Sequence, residues 1–266
     1  MFELRAYLAG FALLLTVAAL GWLASVAKRD VSIVDSLWGL KFLLAAGVYA
    51  GMLDGGPRTA LVLALVALWA VRLTAYITWR NWGEGEDHRY REIRRRNEPR
   101  FWLKSLYLVF GLQAVLAWWI SLPLLAAIGS PAPLGWLDGL GTVLCLGGLL
   151  FESIGDWQLA RFKAHPASRG RVFDRGLWRY TRHPNYFGEC CVWWGLYALG
   201  LAAGGWWSIV SPLLMTLLLL KVSGVALLEQ TIQERRPAYA EYVRSTSAFV
   251  PWPRRKLAAP RAVTEL

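Results

Sequence analysis

Charge is the first thing this sequence is short of. Of its 266 residues only 18% are Asp, Glu, Lys or Arg, where a soluble domain carries about a quarter. Cysteine is scarce too. Cys145, Cys190 and Cys191 stand in apolar runs, two of them adjacent, which excludes a disulfide framework and reads as small buried hydrophobes. No CxxC or HExxH spacing occurs, so no metal site is expected. Long polar stretches are missing: the longest, about 80–101, is too short to bury a core of its own. The first apolar stretch lacks a basic leader region and an AxA-type site, so it reads as a retained helix and not as a cleaved signal.

What is present is hydrophobic: 56% of the residues are apolar and the mean hydropathy is +0.36. A spanning helix needs ~20 mostly apolar residues. Seven stretches meet that length, roughly 4–27, 31–53, 59–79, 102–128, 135–160, 186–204 and 206–228. They are too long for strands and do not alternate, and backbone polar groups in lipid must pair within their own segment, so helices follow. The expected fold is all-α, an integral membrane protein of seven transmembrane helices in a single domain over 1–266. Residues 1–128 form its substrate side, 129–256 its cofactor side, and 257–266 a frayed tail.

Lys and Arg are spread unevenly around these spans, although the net charge is +11. Lys28 and Arg29 lie between the first two spans; eight bases (Arg80, Arg89, Arg91, Arg94, Arg95, Arg96, Arg100, Lys104) follow the third; seven follow the fifth, and seven stand in the tail. The opposite side has Arg5 and Arg58 alone. The bias puts the amino terminus outside and the carboxyl terminus in the cytosol. A bacterial inner membrane is the expected location; an endoplasmic reticulum membrane satisfies the same physics. No nucleic-acid-binding module accompanies these bases, so nucleic acid is not an expected partner. Gly139 and Gly141 follow no strand and read as close helix packing, not as a dinucleotide loop.

Ionisable groups inside spanning helices are costly and mark sites. Here they are Asp35, Lys41, Arg72, Glu152, Asp156, Glu189, Lys221 and Glu229. Those near helix ends are open to snorkelling, and Asp35 with Arg72 is open to a structural ion pair. Glu152 and Asp156 are four apart on one helical face, continued by Lys163. Two acids followed by bases suit a ribose above a phosphate; a salt-bridged stripe steadying the helix is the plainer alternative. The densest polar segment runs from Arg171 to Glu189. Pro184 suits the first turn of a helix, which leaves Arg182, His183, Asn185 and Tyr186 at an amino terminus whose dipole favours an anion. Arginines there grip phosphate bidentately, and Trp178, Tyr180 and Tyr186 offer faces for a ring.

Arg182-His183-Pro184-Asn185-Tyr186 with Gly188-Glu189 resembles the motif of membrane-embedded steroid 5-alpha-reductases and sterol reductases, shared in part by isoprenylcysteine and phospholipid methyltransferases. Ser32-Ile-Val-Asp35-Ser-Leu-Trp38-Gly39 and Trp82-Gly-Glu-Gly-Glu86-Asp87-His-Arg89-Tyr90 resemble a bacterial branch defined only as a domain of unknown function and similar to the 5-alpha-reductases over nearly the whole chain. The resemblance implies an NADPH-dependent reduction of a carbon–carbon double bond conjugated to a ketone, in a lipophilic substrate such as a 3-oxo-4-ene steroid. It implies cofactor contacts at Asp156, Lys163, Arg171, Asn185 and Glu189, with Arg182, His183 and Tyr186 in the sterol-reductase form of the motif. Glu152 stands where the steroid enzymes have an amide, and Glu229 and Arg235 fall in a tail stretch that matches in spacing. The family's substrate-side glutamate corresponds to Asp35. Its tyrosine corresponds to Trp69, which has no phenolic proton; Tyr76, on the same helical face, is the replacement. Membrane lipids are the surrounding partners, no metal is implied, and a monomer suffices. The alternatives are an S-adenosylmethionine-dependent membrane methyltransferase and a non-enzymatic lipid-binding membrane protein.

Overall fold

A computed structural model describes residues 2–222 and 238–255. It is helical throughout: among the described residues there is no strand, and one isolated parallel bridge joins Thr181 to Ser247. The chain divides into two compact units, Met1–Cys145 with Trp194–Leu213, and Leu146–Trp193 with Leu214–Leu266. The tail expected from 257 and the candidates Glu229 and Arg235 lie outside the described residues.

The first unit begins with α1 (Leu4–Lys28), which ends where Arg29 turns left-handed and its N–H returns to the Ser25 and Val26 carbonyls. The second expected span is interrupted. A single turn, α2 (Ile33–Ser36), precedes α3 (Trp38–Met52), because the backbone about Leu37 closes 3₁₀-type bonds. Then come α4 (Pro57–Asn81), with Pro57 in its first turn, and α5 (His88–Asn97). The stretch expected as one helix over 102–128 is instead a succession: α6 (Phe101–Ser105), a wide turn at Leu106–Gly111, α7 (Leu112–Ile120) and α8 (Leu122–Ile128). Pro123 has no N–H to donate back, and the Ser121 hydroxyl turns to the Trp118 carbonyl at 2.7 Å, so the ladder breaks there.

This unit is held by interlocking aromatics and buried polar links. Trp118 stacks on Tyr7 and Phe11 with ring centroids 4.4 and 4.3 Å apart, and its indole N–H donates to the Tyr7 carbonyl at 3.0 Å. Arg58, at the start of α4, is buried with Asp138. Nε and Nη2 donate to the two carboxylate oxygens at 2.6 and 2.9 Å, and Nη1 reaches Ser130 at 3.2 Å. Such bidentate geometry is what lets a buried ion pair offset its desolvation.

The long α9 (Trp136–Ala164) and α10 (Pro184–Ala202) cross the boundary between units, and α11 (Val210–Leu217) and α12 (Ala238–Ser245) follow. Gly141 of α9 packs where an added Cβ would stand 2.7 Å from the Gly195 carbonyl oxygen; Gly139 faces open space and has no such role. Among the described residues, four helical stretches are long and apolar enough to cross a membrane: Leu4–Lys28, Pro57–Asn81, Phe101–Ile120 and Trp136–Ala164. The apolar stretches Trp38–Met52 and Trp206–Lys221 are shorter.

Candidate functional site

Besides the Arg58–Asp138 pair, polar side chains gather among the described residues at one place in each unit that the sequence motifs single out. In the first unit, the 82–90 segment folds back onto the turn that precedes α2. The Ser32 hydroxyl accepts the Asp87 N–H at 2.7 Å, and Glu86 accepts the Val31 N–H at 3.0 Å while pairing with Arg94 at 2.7 Å. Asp87 caps α5, accepting the Arg89 N–H at 2.8 Å. These links bring Arg89 and Tyr90 to Asp35: Arg89 Nη2 donates to one carboxylate oxygen at 2.7 Å and the Tyr90 hydroxyl to the other at 2.5 Å.

Charge follows this geometry. Burial works to raise the Asp87 carboxyl, but Arg89 beside it wins and holds it at about 2. Burial also works against the Arg89 guanidinium, and the Asp35 and Asp87 carboxylates outweigh it, so its pKa is raised. Tyr90 is pushed well above the ordinary phenol value by burial and then by the Asp35 carboxylate that it serves. On the exposed side of α5, hydrogen bonds from Arg95 and Arg96 lower Glu92 to about 2.

Tyr76 stands elsewhere on α4. Its half-buried ring lies under the guanidiniums of Arg72 and Arg80, 5.4 and 5.9 Å from the centroid. Trp69 is buried against Phe42, with centroids 5.7 Å apart. Residue pattern alone missed Tyr90 and Arg89 as the partners of Asp35; the signal was their presence in the 82–90 motif.

In the second unit, α9 and α10 cross closely. A Cβ on Gly188 would stand 2.6 Å from both the Glu152 N and the Gly148 carbonyl oxygen, and one on Gly155 would stand 3.1 Å from Pro184 and 3.3 Å from the Asn185 N. The crossing therefore sets Glu152 and Asp156 alongside the first turns of α10, which begins at Pro184. Glu152, Asp156, Arg182, His183 and Glu189 are all buried. His183 stacks on Tyr186, with centroids 5.5 Å apart and planes 4° from parallel. The half-buried Asn185 carboxamide has no hydrogen-bond partner among the described residues. Lys163, in the last turn of α9, and Arg171, within the loop that joins the two helices, are exposed.

The carboxyl-terminal segment clamps this loop. Arg182 Nη1 donates to the carbonyls of Val243 and Thr246 at 2.9 and 2.6 Å, and the Arg182 N–H to Ser247 at 2.9 Å. The Thr181 hydroxyl donates to the Phe249 carbonyl at 2.7 Å. Tyr242 donates to the Trp178 carbonyl, and burial pushes its phenol well above the ordinary value. One amino group of Arg182 thus serves the backbone, narrowing the phosphate-fork role expected of it. Trp178 is not an open stacking face: it is buried, and its indole N–H donates to the Gly155 carbonyl at 3.0 Å. Tyr180 is exposed. The buried Thr246 hydroxyl has no hydrogen-bond partner among the described residues.

These features define a class, an all-helical chain with helices fit to cross a membrane, a cluster of half-buried ionisable side chains in the first unit and a buried one in the second. Residues 21–246 match the family described as "Protein of unknown function (DUF1295)", and the chain belongs to that family. It is also similar to an uncharacterized protein of Schizosaccharomyces pombe, 27% identical over 263 residues, covering 86% of this chain and 75% of the yeast protein. No solved structure matches it.

Proposed function

We propose that the chain is an NADPH-dependent reductase of a double bond conjugated to a ketone in a lipophilic, steroid-like molecule. The observation that carries the reading is the second unit's helix crossing. Glu152, Asp156, Arg182, His183 and Glu189 are buried about it, and among the described residues the Asn185 carboxamide at the crossing and the buried hydroxyl of Thr246, whose carbonyl meets Arg182, still have unmet hydrogen-bonding capacity. Buried polar groups are costly when unsatisfied, so this set fits a polar, phosphorylated ligand. Asp156, Glu152 and Glu189 would face its hydroxyls and amide. Asn185 and the start of α10 would meet the pyrophosphate, and Lys163 and Arg171 the 2′-phosphate. Glu229 and Arg235 complete the set by resemblance.

When bound, NADPH supplies a hydride to the double bond. The chain must then place a proton donor at the carbonyl oxygen, where negative charge develops. Asp35 holds the Tyr90 hydroxyl on one oxygen and Arg89 on the other. The donor role goes to Tyr90, whose single hydroxyl proton rests on Asp35 and would turn to the carbonyl oxygen when substrate is present, Asp35 positioning the phenol; Tyr76, stacked among arginines, is the second phenol of this side. The same reading has seven spans, the amino terminus outside, and a bacterial inner membrane that delivers the apolar substrate to 1–128 while the cytosol delivers the anionic cofactor to 129–256.

The test is thermal unfolding of the purified full chain in detergent, with NADPH and separately with S-adenosylmethionine. NADPH at a hundredfold excess over its Kd is expected to stabilise by about 2.7 kcal/mol. Stabilisation by S-adenosylmethionine alone overturns the reductase in favour of a methyltransferase, and stabilisation by neither favours a non-enzymatic lipid-binding protein.

A further inference from the structure

The outer face of α5 has no part in the site so far. Tyr90, Ile93, Arg94 and Asn97 form its inner face, buried or half-buried, while Arg91, Arg95 and Arg96 are exposed on the other. The inner face is fastened. Arg94 pairs with Glu86 at 2.7 Å and lies 4.7 Å from the Phe101 ring centroid, and Lys104 Nζ donates to the Asn97 carbonyl at 2.7 Å. The outer arginines therefore stand on a fixed support.

Their charge does not cancel. Glu92 serves Arg95 and Arg96 together, at 2.9 and 2.6 Å. The guanidiniums of Arg91 and Arg100, near one end of α5 and just beyond the other, have no side-chain partner among the described residues. The remaining acid of the stretch is the exposed Glu98. Arg91, Arg95, Arg96 and Arg100 thus stand against Glu92 and Glu98, a surplus of two positive charges.

Position gives this surplus a partner. α5 is strung between two stretches fit to cross a membrane, Pro57–Asn81 and Phe101–Ile120. Residues 98–100 alone separate it from the second, a reach of about 10 Å, close to the Debye length of ~8 Å at physiological ionic strength. Trp79 and Trp82 at one junction and Trp102 at the other are exposed, and tryptophan favours the level where lipid meets water. Guanidiniums held this near a lipid surface are complementary to the phosphates of acidic headgroups. We propose that the outer face of α5, with Arg91 and Arg100, is a docking surface for anionic phospholipid headgroups of the adjoining leaflet. The proposal stands apart from the reductase reading.

The experiment titrates the immobilised full chain, in mild detergent, with radiolabelled phosphatidylglycerol and with phosphatidylcholine of the same acyl chains. One base near an anionic surface is worth about fivefold, so a surplus of two gives the wild type a preference of about 25-fold for phosphatidylglycerol, shrinking in about 1 M salt. Arg91→Gln with Arg100→Gln is expected to abolish the preference at an unchanged melting temperature. Glu98→Gln, which adds to the surplus, is expected to raise it about fivefold. Arg169→Gln with Arg175→Gln removes the same charge from the exposed loop after α9 and is expected to leave it. Equal binding of both lipids by the wild type, or equal loss in the two double variants, overturns the proposal. NADPH binding is read in parallel. A Arg91/Arg100 double variant that loses NADPH and keeps the lipid preference assigns the face to the nucleotide and overturns the proposal too, whereas a wild type that selects phosphatidylglycerol and ignores NADPH overturns only the reductase.

Discussion

The phenol of Tyr90 donates to the carboxylate of Asp35 across 55 residues of chain. The pair joins the first turn of α5 to α2, and Arg89 fills the other carboxylate oxygen. A phenol, a carboxylate and a guanidinium in mutual contact are the parts of a proton-donating centre, and also of a strong structural latch. The two roles separate by mutation.

Tyr90→Phe is expected to lower enone turnover by about 10²–10⁴ while NADPH still raises the melting temperature. Asp35→Asn should do the same with a smaller loss, because the phenol remains. Full turnover in folded Tyr90→Phe would return the donor role to Tyr76; lost stability with turnover intact would mark a latch only.

In the second unit, Asn185→Ala should weaken NADPH by about ten- to a hundredfold, the range for hydrogen bonds to a charged group, with the melting temperature of the free protein unchanged. Arg171→Ala should weaken NADPH more than NADH. Equal losses for the two nucleotides, measured by titration, would reject a 2′-phosphate contact at Arg171.

The Arg58–Asp138 pair makes a prediction about stability alone. Arg58→Met strands a buried carboxylate and should cost about 3–5 kcal/mol. The double change Arg58→Met with Asp138→Leu removes both charges and should recover most of it. The check is the unfolding free energy in detergent; a double variant no better than the single would show that Ser130 and the Pro133 carbonyl, also bonded to Arg58, carry the cost.

Acid should loosen the 82–90 loop. Asp87 sits at about 2 in the folded chain against an ordinary 3.8. The unfolded chain therefore takes up this proton first, and the stability Asp87 contributes is present above pH about 4 and lost as pH falls toward 2. Hydrogen exchange of the α5 amides between pH 5 and 2 is the measurement. Asp87→Asn should show the loosening already at pH 5, and a pH dependence equal to that of the wild type would remove Asp87 as its source.

Much of this architecture was legible in the residues because helices announce themselves locally. Apolar length marked the helical stretches, Pro184 marked a helix start, and i, i+4 spacing put Glu152 with Asp156. What spacing does not carry is the far partner of a side chain. Nothing local says that Lys41 meets Gln113, 72 residues on, or that Arg182 turns to Val243 and Thr246. Trp178 read as an open face because it lies in a polar loop, whereas the loop folds inward and spends its indole on Gly155. The break at Ser121 and Pro123 was hidden by the unbroken hydrophobicity of 102–128.

The clamp between the 174–182 loop and the 239–254 segment has a bearing on how chimeras of this family must be cut. Arg254 pairs with Asp174 at 2.8 Å, and the Trp252 N–H returns to Tyr180 at 2.9 Å, so the shape of the motif is stored some seventy residues downstream of it. Exchanging either stretch between relatives without its mate would unseat Arg182 even if every motif residue were retained, and the two should be transplanted as one cassette.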